Sequence, residues 1–101
     1  MVKYNLKYRH STQYEMDGIY LYIAADNRER ALAFRKEVEQ SILNLADFPY
    51  MGAKDEESGL YRLIKKPYII FYDVNEEDNT VEVLHIRHSA RKQYKKAKSK
   101  N

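Results

Sequence analysis

The sequence predicts an α+β domain of order β-α-α-β-β-β, a small antiparallel sheet with an N-terminal helical hairpin packed on one face. Three observations predict it: period-two alternation at Val2, Tyr4, Leu6 and Tyr8, helical spacing from Ser11 to about Asp47, and three short β-rich runs after Gly59. With 101 residues, 44% hydrophobic and 13% aromatic, the chain is long enough for one core and too short for two.

In the first strand Lys3, Asn5 and Lys7 fill the alternate positions, which leaves one face to bury. From Ser11 the period changes. Met16, Ile19, Tyr20 and Ile23 share a helical face, and Thr12 followed by Glu15 reads as a capping box. Gly18 lies inside this helix at a cost of about 1 kcal/mol relative to Ala; a close packing contact would account for it, and a helix break is the alternative. Asp26 is the expected N-cap of the second helix, with Glu29 as its capping partner. Ala31, Phe34, Val38, Ile42 and Leu45 then recur at steps of three and four, until Pro49 ends the helix near Asp47. The short connection between the helices makes them an antiparallel hairpin.

A loop from Pro49 to Gly59 precedes strand-like runs at Leu60 to Ile64, Tyr68 to Val74 and Thr80 to His88. In the middle run Ile69 and Phe71 are expected toward the helices, with Tyr68 and Tyr72 on the uncovered face. In the last, Leu84 and Ile86 oppose Val83, His85 and Arg87. Together with Arg62, Lys65 and Lys66 this yields a basic, tyrosine-lined surface suited to a phosphodiester backbone or another anionic target.

Charge is concentrated at one end. Residues 1–86 carry 11 basic and 15 acidic side chains, whereas 87–101 carry seven basic and no acidic ones. Such a block meets an anion or a solvated tail. The division expected is a domain over 1–94 followed by a basic tail over 95–101, with Arg87, His88, Arg91 and Tyr94 as the functional part of the C-terminal segment.

Several chemistries are excluded. No Cys is present, so there is neither a disulfide framework nor a thiolate nucleophile. Three His and few carboxylates in the basic half argue against a zinc or two-metal site, and no cofactor is expected. No apolar run approaches a membrane span of about 20 residues, and MVKYNLKYRH is no signal peptide. A soluble, cytoplasmic protein without membrane contact is the expectation. The residue inventory does suffice for metal-independent RNA cleavage: His85 or His88 as base or acid, Arg62, Arg87 or Arg91 on the phosphate, and Tyr94 as acid or stacking platform.

The runs ADNRERALAFRKEVEQSILNLADFPYMG, LYRLIKKPYIIFYDV and VEVLHIRHSAR together resemble the RelE/ParE superfamily of type II toxin-antitoxin toxins. The shared elements are a helix ending in Leu-x-x-Phe-Pro-x-x-Gly, a Tyr-Arg hairpin with an aromatic second strand, and a last strand ending in Ile-x-His-x-x-Arg. The resemblance implies a cognate antitoxin, expected to be acidic. It implies one of two targets, DNA gyrase for ParE-like members or messenger RNA on the ribosome for RelE-like ones. Asp26 to Gly52 and Ile86 to Arg91 look more like ParE, which makes gyrase poisoning, growth inhibition and plasmid stabilisation the expected activity. On the RelE-like alternative the catalytic positions map to Arg62, His88, Arg91 and Tyr94, while the second hairpin Lys falls at Ile64 or Lys65 and a further Arg at Ile69. A nontoxic nucleic-acid-binding module of the same fold is the second alternative.

Overall fold

The computed structural model describes residues 3–89. Along them run β1 (Asn5–Tyr8), α1 (His10–Ala24), α2 (Arg28–Asn44), β2 (Ala53–Lys54), β3 (Tyr61–Lys65), β4 (Tyr68–Asn75) and β5 (Thr80–His88). The expected α+β order is present with one short strand, β2, added. The sheet order is β1-β5-β4-β3-β2. Strands β2 to β5 pair antiparallel, but β1 lies parallel to β5, so the sheet is mixed.

The expected capping box on α1 does not form. Arg9 is the N-cap, with extended backbone and no side-chain cap. Thr12 and Glu15 serve β5 instead: the buried Thr12 hydroxyl donates to the Val83 carbonyl at 3.0 Å, and a Glu15 carboxylate oxygen accepts the Ile86 N–H at 3.0 Å. The cause is an incomplete edge. Pairing with β1 ends at Tyr8 opposite Val83, so the rest of β5 has outward backbone groups that need partners. Helix α1 continues through Gly18, and a Cβ built there meets nothing within 4 Å. The close internal contact expected at this glycine is absent.

Helix α2 is capped one residue later than expected. Asn27 accepts the Arg30 N–H at 3.0 Å, while Asp26 still closes the end of α1 by donating its own N–H to the Ile23 carbonyl. The apolar stripe is as expected: Ala31, Val38, Ile42 and Leu45 are buried and Phe34 is partly so.

The sheet presents the opposite tyrosine face from the one expected. Tyr68, at 6% exposure, and Tyr72, at 0%, pack with Ile70 against Val38, Ile42 and Leu45, while Ile69 and Phe71 take the far side. Every residue from Tyr68 to Tyr72 is apolar or aromatic, so alternation alone has no preferred sign there. Tyrosine tolerates the core because its ring is buried while its hydroxyl needs a single partner. In β5 the alternation is interrupted. Phe71 pairs with His85 and Tyr72 with Val83, leaving Leu84 as an extra residue. Val83 therefore joins Ile86 in the core instead of opposing it, and His85 and Arg87 remain on the far side as expected.

Candidate functional site

Cross-strand register divides the expected site residues between two faces. Arg62, Phe71 and His85 form one rank across β3, β4 and β5, and Ile64, Ile69 and Arg87 form the next; both lie opposite the helices. Lys65, Tyr68 and His88 form a rank on the helix side. A β-strand carries residues three apart on opposite faces, so Arg62 and Lys65 cannot share a ligand on one face.

The far face has an apolar centre, with Arg62, His85 and Arg87 toward one end and the paired carboxylates Asp73 and Glu82 at the other. Ile69 and Leu84 are 6% and 7% exposed and Phe71 is half-buried, whereas Ile64 is largely exposed. Arg62 is half-buried, and its Nε is enclosed with no hydrogen-bond partner among the described residues. A buried guanidinium donor without an acceptor is costly, and an anion is the acceptor that best repays it. His85 stands at the edge of β5, with Nδ1 3.5 Å from Glu15, too long and poorly directed for a hydrogen bond. With Arg87 two residues along β5 in the next rank, the face sets the Arg62 guanidinium two strand spacings, about 10 Å, from the strand that carries His85 and Arg87.

On the helix side the chain turns from β3 to β4 at Lys66-Pro67, beside α2. The Tyr68 ring packs between Phe34 and His88, each with its centroid 5.1 Å away. Lys65 pairs with Glu37 of α2 at 3.8 Å. A groove of ≈ 590 Å³ opens here, with Phe34, Tyr68 and Pro67 among its walls and Arg30, Glu37 and Lys66 at its polar positions. Mixed charge makes it a poor anion site.

Tyr72 has a structural role, holding the Gly52 backbone through its hydroxyl. Burial pushes its phenol above the ordinary range, opposed by the Gly52 hydrogen bond and reinforced by neighbouring Tyr61. Arg91 and Tyr94 and the tail from 95 to 101 lie outside the described residues. No group of three or more His, Asp or Glu among the described residues is placed to hold a metal ion, and no described helix is long and apolar enough to cross a membrane. The residues missed in the sequence are Glu15, Thr12 and Gly52. The spacing of the first two reads as a local cap, which conceals a partner 71 residues away.

A two-helix hairpin on a β1-β5-β4-β3-β2 sheet, with Arg62 and Arg87 on the far face, defines a small α+β domain with a cationic cluster opposite its helices. The family model for the ParE toxin of the type II toxin-antitoxin system, parDE, matches residues 6–93, and the chain belongs to that family. It is the toxin of a type II toxin-antitoxin module within the RelE/ParE superfamily. Among solved structures, a chromosomal ParDE TA system from P. aeruginosa superposes with TM-score 0.70 at 21% identity, covering 85% of this chain and 96% of that one. A free-state mutant of E. coli toxin RelE gives 0.67 at 16% identity over 91% and 90%. The toxin-antitoxin complex RelBE2 from Mycobacterium tuberculosis gives 0.60 at 19% identity over 86% and 99%. A comparison with curated protein sequences returns no match.

Proposed function

We propose that this toxin inhibits growth in the cytoplasm by poisoning DNA gyrase through the sheet face bearing Arg62, His85 and Arg87, and that an acidic cognate antitoxin neutralises it. The observation that carries the choice of target is the match of the ParE family model from residue 6 to residue 93. A second observation weighs against the RelE-like mapping in particular: Arg62 and His88, its two catalytic positions among the described residues, lie on opposite faces of the sheet, so His85, which shares the face of Arg62 and Arg87, is the base that RNA cleavage there would need. A base and a phosphate clamp separated by the sheet cannot act on one phosphodiester. The seven basic side chains from Arg87 onward are the natural counterpart of an acidic antitoxin, and structures similar to this chain include toxin-antitoxin complexes.

Induced expression tests the proposal. Growth should stop, gyrase–DNA cleavage complexes should accumulate while messages stay intact, and Arg62→Ala should lessen both effects. Codon-dependent message cleavage without trapped gyrase would assign the chain to the RelE-like activity. Unimpaired growth would remove toxicity itself.

A further inference from the structure

The outward face of α1 has a pattern that its own domain does not use. Met16, Ile19 and Ile23 turn inward, whereas Tyr14, Leu21 and Tyr22 are 70%, 65% and 76% exposed. Gly18 stands among them with open space where a side chain would be. The tyrosines and small residues are placed symmetrically about this glycine, Tyr14 and Tyr22 four residues to either side and Ser11 and Ala25 seven, while Leu21 has the half-buried Glu15 as its counterpart. Apart from Glu15, all of these positions are exposed.

We propose that this face binds a second copy of the chain, with two α1 helices crossing antiparallel at Gly18 about a two-fold axis. An isologous interface needs one self-complementary patch, and a stripe whose tyrosines and small residues are symmetric about its central residue meets that need. Tyr14 of one copy then lies beside Tyr22 of the other, and the absence of a side chain at Gly18 lets the backbones approach. Charge selects this occupant over an acidic partner. The stripe has no Asp, Glu, Lys or Arg in a chain that is 33% charged, and its nearest carboxylates are engaged elsewhere, Glu15 with the Ile86 N–H and Asp17 with Arg35. Two copies therefore meet without like-charge repulsion, while a charged partner finds nothing to pair with. Two tyrosines and one leucine supply a few hundred Å² per copy, below the roughly 800 Å² per partner of a standard interface, so the dimer is weak and reversible. The inference stands apart from the choice of target.

Sedimentation velocity of the full chain over a concentration series should show the mass rising reversibly toward that of two chains. Tyr22→Glu should hold it at one, and Leu43→Glu, at an exposed position of α2, should leave the rise unchanged. The chain has no native Cys, so Gly18→Cys is a second probe, expected to form a covalent dimer under mild oxidation faster than Leu43→Cys. A monomer at every concentration, a dimer that survives Tyr22→Glu, or Gly18→Cys crosslinking no faster than Leu43→Cys would overturn the proposal.

Discussion

Tyr72 of β4 accepts the backbone N–H of Gly52 at 3.0 Å, and the two residues are fitted so closely that only glycine can occupy position 52. A Cβ there would lie 2.5 Å from the Arg62 carbonyl oxygen and 2.9 Å from the Tyr72 hydroxyl. The loop after α2 is thereby pinned to the sheet, and β2 pairs with β3 at the next residue, Ala53 opposite Arg62. Gly52→Ala should cost about 1–3 kcal/mol by overpacking against backbone that cannot swing aside. Tyr72→Phe should cost about 1 kcal/mol by orphaning the N–H. In a domain of this size each kcal/mol lowers Tm by about 4–8 °C, so thermal melts resolve both. If Gly52→Ala melts with the parent, position 52 has room for a Cβ and the close fit is wrong.

The same tyrosine gives the fold an alkaline limit. Burial raises the Tyr72 phenol, and burial with the Glu39 carboxylate raises that of Tyr8. A group whose folded pKa lies above its unfolded value of about 10 contributes stability that is complete below that value and lost as pH rises through the folded one. The contribution of these two tyrosines should therefore be constant through neutral pH and fall above about pH 10. Tyr72→Phe, though less stable at pH 7, should show a shallower alkaline fall. Urea unfolding midpoints at stepped pH would measure this, and parallel curves for the two proteins would count against it.

The helical hairpin was legible because Ala31, Val38, Ile42 and Leu45 follow one period in a segment bounded by polar caps and Pro49. The orientation of β4 was not, because Tyr68-Ile-Ile-Phe-Tyr72 offers apolar side chains to both faces and the hydroxyl that settles the matter pairs with a loop 20 residues away. Leu84 added a second obstacle. The bulge breaks the alternation between Val83 and His85, which turns Val83 into the core, and Val83 through His88 contains no Gly or Pro to mark it. Arg62, His85 and Arg87 lie on the expected face, while Tyr68, Tyr72, Lys65 and His88 lie on the helix side, the last two because residues three apart in a strand point to opposite faces.

Glu15 can be tested for its long-range role. Its carboxylate accepts the Ile86 N–H where β5 outruns β1, so removing the acceptor leaves a partly buried edge donor unsatisfied. Glu15→Ala should cost about 1–3 kcal/mol, whereas Glu15→Gln, which retains an acceptor oxygen, should recover most of it. Amide exchange adds a local readout: the Ile86 N–H should lose protection in Glu15→Ala and keep it in Glu15→Gln. Equal melting of both variants would mean that the side chain acts by charge or packing instead.

Arg62 is where fold and function can be separated. Its Nε is enclosed without a partner among the described residues, so the guanidinium is held in a geometry that the resting domain does not use. Arg62→Lys keeps the charge and withdraws the planar fork. One lost charge-assisted hydrogen bond is worth about 1.5–3 kcal/mol, so target affinity should fall about 10- to 150-fold while thermal stability stays the same or rises slightly. Lys65→Ala is the matched control on the opposite face. It removes a surface pair with Glu37, which should change stability by less than about 1 kcal/mol and leave toxicity intact. Growth on induction and binding to the isolated target measure function, and thermal melts measure the fold. If Arg62→Lys remains as toxic as the parent, or Lys65→Ala loses toxicity without losing stability, the active surface lies on the helix side.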